Sequence, residues 1–125
     1  MKILCAIIFF SSFSTLLAAS DLPALKCGGT EPFWGVKTQI NGDMTFADPA
    51  TMEVIPYSNT ELINADGTSG DFAFQIKGVD ADNKSLKLNI FKSACNDGMS
   101  DTVFDYTAMV DLEDGILFGC CNKAD

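Results

Sequence analysis

The sequence predicts an all-β protein: a small antiparallel barrel or sandwich of seven to eight strands, disulfide-stapled. Three observations carry this expectation. Short apolar runs alternate with Gly, Asn and Asp turn signals along the chain, and no stretch sustains a helical period. Four cysteines, Cys27, Cys95, Cys120 and Cys121, lie beyond the apolar N-terminal stretch, an even number available for two bridges. Strands at this spacing close into barrels or sandwiches, and full closure removes exposed edges.

The N-terminus reads as a signal peptide over residues 1–20. Met1-Lys2 is a short positive start, Ile3 to Phe13 is apolar, and Leu17-Ala18-Ala19-Ser20 supplies small residues at the spacing a signal peptidase reads. Cleavage near Ser20 gives a mature start at Asp21, with a cut after Ala19 as the alternative. Ser11, Ser12, Ser14 and Thr15 dilute a stretch already shorter than the roughly 18–20 apolar residues of a membrane span, so no stable span is expected after cleavage. Taking 20 residues from 125 leaves 105, residues 21–125, which is one β-domain.

Within that domain Phe33 to Ile40 reads as a strand, Asn41-Gly42-Asp43 as a hairpin turn and Met44-Thr45-Phe46 as the returning strand. Met52 to Tyr57 is a further strand, broken by Pro56, and Asn64 to Asp71 is a polar loop. Phe72, Phe74 and Ile76 alternate with polar or small neighbours, as do Leu86, Leu88 and Ile90, the pattern of half-buried antiparallel strands. Phe104, Tyr106, Ala108, Val110 and Leu112 line one face of a long strand, and Glu113-Asp114-Gly115 turns it back into Ile116 to Cys121. Phe74, Ile76, Leu88, Ile90, Tyr106, Ala108 and Val110 are the expected core.

Adjacent cysteines on a strand point to opposite faces, so a Cys120–Cys121 bridge is discounted. Cys27 and Cys95 are expected to pair separately with the two, in an order the sequence leaves open. Zinc is disfavoured because the chain has no histidine and no Cys-x-x-Cys spacing.

Charge excludes some partners. There are 17 acidic residues against 8 lysines, a net charge of −9, and losing Lys2 with the leader makes it −10. With no arginine and no basic face, nucleic acid is excluded as a partner, and a cationic protein such as lysozyme is favoured by steering. The bland counterpart is that acidity keeps an exported domain soluble. The missing histidine also removes Ser-His-Asp and Cys-His machinery, and scattered acids make any glycosidase pair arbitrary, so no catalytic residues and no cofactor are expected. Asn64 to Gly67, Asp80 to Asn83 and Asn96 to Gly98 place oxygen ligands in turns, but none completes a calcium loop, and β-turns demand the same residues.

Two segments exceed generic strand and turn: Cys27-Gly28-Gly29-Thr30-Glu31-Pro32-Phe33-Trp34, and Cys95-Asn96-Asp97-Gly98-Met99-Ser100-Asp101. Together with Gly119-Cys120-Cys121 they resemble a family of bacterial envelope proteins of unassigned function, which carries Cys-x-Gly-x-Glu-Pro-Phe-Trp, Cys-x-Asp-Gly-Met-Ser-Asp/Gly and a terminal Gly-Cys. The resemblance spans Cys27 to Cys121 and extends distantly to META-type and c-type lysozyme inhibitor domains. This chain departs by lacking a lipobox cysteine.

The resemblance implies a small exported, non-catalytic binding protein of the cell envelope, periplasmic or secreted and lysozyme-inhibitor-like. The competing expectation is a structural or stress-related envelope domain without a dedicated ligand. The expected partner-binding residues are Asp97, Met99, Ser100 and Asp101, on a loop that its cysteine and Asp-Gly turn would pre-order, and the nearby Lys92. Of the motif residues, Trp34 beside Phe33 reads as a core plug, and Glu31 as a cap for backbone amides or a lysine partner.

Overall fold

The computed structural model describes residues 21–99 and 101–124. The signal-peptide expectation and Ser100 therefore lie outside the described residues. Eight strands run in order: β1 (Leu25–Thr30), β2 (Phe33–Thr38), β3 (Met44–Ala47), β4 (Val54–Asn64), β5 (Ala73–Val79), β6 (Ser85–Asn96), β7 (Val103–Leu112) and β8 (Gly115–Lys123). Each pairs antiparallel with the next, and β8 returns to β1, closing the barrel. Among the described residues there is no helix, hence none long and apolar enough to cross a membrane.

Alternation decides which side chains fill the barrel, because successive residues of a strand point to opposite faces. The seven expected core residues are all buried, joined by Leu25, Trp34, Val36, Met44, Phe46 and Leu86. Phe72 departs from expectation: it precedes β5 and is exposed. Pro56 does not break its strand either. It pairs with Thr45 of β3, while the register of β4 with β5 begins only at Ser58, so the missing N–H falls where the second edge has no ladder to complete.

The cysteines pair as Cys27–Cys121 and Cys95–Cys120. Cys27 and Cys121 stand directly opposite each other on β1 and β8 inside the barrel, both buried. Cys120 points outward, as neighbours on a strand must, and meets Cys95 beyond a bulge of β6 between Lys92 and Cys95. Two such bridges are the covalent pattern of a chain that matures in an oxidising compartment.

Tyr57 gives the barrel a pH response. Burial, followed by the nearby carboxylates of Asp80 and Asp48, raises its hydroxyl above the ordinary tyrosine value. A raised folded-state value favours the neutral phenol, so its contribution is fully present below pH about 10 and is lost as pH rises through the folded value. The melting temperature is expected to fall above pH about 10, and Tyr57→Phe to flatten that fall, in thermal melts across the alkaline range.

Candidate functional site

The first cysteine motif forms the β1–β2 hairpin. Its register sets Gly29 against Trp34 and Cys27 against Val36, all facing inward, while Lys26, Gly28, Phe33, Gly35 and Lys37 face outward. Trp34 is 2 % exposed, whereas its neighbour Phe33 is 65 % exposed. Trp34 is therefore the expected core plug, and Phe33 beside it faces outward. The Trp34 Nε1 donates to the Phe118 carbonyl at 3.1 Å, so the buried indole N–H is satisfied.

Glycines make the space for that ring. A Cβ at Gly29 would overlap the indole Nε1 and stand 2.8 Å from the Phe118 carbonyl. One at Gly119 would overlap the Gly28 carbonyl and stand 2.7 Å from Trp34 Cζ2. The Cys-Gly-Gly and Gly-Cys-Cys segments, 90 residues apart in sequence, are thus two sides of one tryptophan seat. Trp34→Phe keeps most of the ring but orphans the Phe118 carbonyl, and a loss of about 1–3 kcal/mol is expected in urea unfolding with the disulfides intact.

The second motif is the β6–β7 turn, and it lies against the first. Thr30 Oγ1 donates to the Asp97 carbonyl at 3.2 Å, and the Cys95–Cys120 bridge pins the turn's start to β8. Its side chains brace it internally: Asn96 Oδ1 accepts from the Gly98 amide at 2.7 Å and Asp97 Oδ1 from the Met99 amide at 2.9 Å. Gly98 supplies the positive φ of 80° that the turn requires. Met99 projects from this frame, 71 % exposed, and Asp101 is also exposed.

The other expected site residues divide. Glu31 is exposed at the tip of the β1–β2 hairpin and, with Pro32 and Met99, borders a cavity of about 530 Å³. Lys92 stands before the bulge opposite Tyr106, its amide bonded to the Phe72 carbonyl at 2.7 Å, and it borders neither that cavity nor the larger one below. Sequence proximity to the loop thus does not make Lys92 part of the same surface. The turn at Asp80 uses its oxygen structurally, Oδ1 accepting the Asp82 and Lys84 amides at 2.9 and 2.8 Å.

A larger cleft of about 690 Å³ opens on the outer face of β1 and β2. Lys26, Lys37, Phe33, Gly35, Phe104 and Asp97 are among the residues around it. The sequence reading singled out neither lysine nor Gly35. Strand alternation puts Lys26 and Lys37 outward, but only the register reveals that they are cross-strand partners. Comparison with family models, with curated proteins and with solved structures finds no match to this chain.

Proposed function

We propose that the chain is a non-catalytic binding protein of the bacterial envelope, exported by a signal peptide over residues 1–20 and working in the periplasm. Its recognition surface is the face where the Cys27–Trp34 hairpin meets the Cys95–Asp101 turn. The observation that carries this reading is the turn itself, braced by a disulfide, by Thr30 and by its own side chains, yet carrying a bare Met99. Pre-ordering of this kind lowers the entropy cost of binding, and methionine is an adaptable apolar contact. Asp97 directs a carboxylate oxygen to its own turn's amide, so its part in this surface is to hold the turn.

A cationic cleft-bearing hydrolase such as a c-type lysozyme suits a strongly acidic chain with such a loop. The test is residual lysozyme activity with the oxidised protein in molar excess, beside Met99→Ala and Ser100→Ala. Inhibition by the parent and its loss in variants with unchanged melting temperature are the expected results. An uninhibited enzyme that also fails to bind the protein would remove lysozyme as the partner. The second reading, a structural envelope domain without a ligand, is favoured by Trp34, Gly29 and Gly119 serving the core. It predicts that the loop variants lower the melting temperature and change no binding.

A further inference from the structure

Gly28, Gly29 and Gly119 are explained by packing, and Gly35, which directly follows the first motif, is not. A Cβ there would meet the Cys27 carbonyl at 3.7 Å and the Ala47 Cβ at 4.0 Å, ordinary van der Waals distances. Glycine weakens a strand interior, and where no neighbour forbids a side chain it marks a place that another molecule approaches closely. Gly35 lies in the floor of the 690 Å³ cleft, within the size range of small-molecule sites. Val54, Ala47, Gly35, Gly28 and Cys120 form one row across β4, β3, β2, β1 and β8. Five strands about 4.8 Å apart make that floor about 19 Å long.

The ends differ in chemistry. Phe33, 65 % exposed, gives the end of the cleft nearest the hairpin tip an apolar character, and Phe104 also borders the cleft. Away from that tip Lys26 and Lys37 are cross-strand partners, a like-charge pair that costs stability where it stands. Among the described residues neither has an ion-pair partner. Lys123 also borders the cleft, so three of the chain's eight lysines line it in a protein of net charge −9, and Asp97 is the acid among its lining residues. Local rules are broken at functional sites, and a bound anion would relieve this repulsion.

We infer that this cleft binds an anionic single-chain amphiphile, a fatty-acid carboxylate, with its acyl chain along the Gly35 floor and against Phe33 and its head at Lys26 and Lys37. The site adjoins the proposed recognition surface, sharing Thr30 and Asp97 with the cavity beside Met99 but not Met99 itself, and it goes beyond the binding function proposed above. Calorimetric titration of the oxidised protein with dodecanoate below its micellar concentration tests it, beside dodecyl maltoside as an uncharged head on the same chain. One saturable dodecanoate site is expected, weakened roughly tenfold or more in Lys26→Gln/Lys37→Gln. Gly35→Leu, whose Cβ meets only ordinary van der Waals contacts, should abolish binding with an unchanged melting temperature. Met99→Ala should bind dodecanoate as the parent does, so this site and the loop surface fail or stand separately. Absence of dodecanoate binding, equal affinity for the maltoside, or full binding by Gly35→Leu would overturn the assignment. So would sedimentation showing a dimer that Gly35→Leu dissociates, because the cleft would then be filled by a second copy of the chain.

Discussion

Replacing Gly119 by alanine should cost the barrel about 3 kcal/mol or more, near the upper end of overpacking penalties. The added methyl would overlap the backbone carbonyl of Gly28 and crowd the indole of Trp34. Neither obstacle can swing aside: the first is main chain on a paired strand, and the second is held by its bond to the Phe118 carbonyl. Urea unfolding of the disulfide-intact variant measures the loss as a lower midpoint. Gly35→Ala is the control, since its Cβ meets only ordinary contacts, and its stability should stay within about 1 kcal/mol of the parent. An unchanged midpoint for Gly119→Ala would show that the tryptophan is not seated between these glycines.

Removing the bridges should cost unequal amounts. Cys27–Cys121 joins residues 94 apart in sequence and Cys95–Cys120 residues 25 apart. In the chain-entropy account these loops are worth about 4.7 and about 3.5 kcal/mol. Cys27→Ala/Cys121→Ala additionally opens space in the hydrophobic core, to which Cys27 and Cys121 belong and Cys95 and Cys120 do not. That pair is therefore expected to melt lower than Cys95→Ala/Cys120→Ala. The shorter bridge should instead matter more to the loop, and amide exchange at Asp97 to Met99 should accelerate when it is removed while the barrel strands stay protected. Equal melting temperatures for the two double variants would contradict this division of roles.

The strands whose interiors are apolar were legible from the sequence. β5, β6 and β7 alternate cleanly, and all seven expected core residues, from Phe74 to Val110, are buried. β1 was not legible, because its inward positions include Cys27 and Gly29, a bridge and an empty place for an indole, in place of an apolar alternation. The second half of β4 reads as polar and carries a bulge between Ser58 and Glu61, which interrupts the period of two. The disulfide pairing waited on the same missing information, since only the β1–β8 register sets Cys27 against Cys121.

The candidate site divides along the same line. A cysteine beside an Asp-Gly turn announces a braced loop, and Asn96, Asp97 and Met99 form one. What cannot be read locally is what folds against it. Thr30 lies 67 residues away, and the cleft assembles from six strands and the β6–β7 turn, whose residues are individually ordinary. Lys26 and Lys37 look like ordinary solvated charges until pairing sets them side by side.

The most direct test of the binding account is the set of backbone amide shifts when the isotope-labelled, oxidised protein is titrated with c-type lysozyme. Saturable shifts are expected to cluster at Thr30, Glu31 and Asn96 to Asp101, with the β4–β5 turn unmoved. Shifts absent throughout the titration, or gathered at the β4–β5 turn, would contradict it.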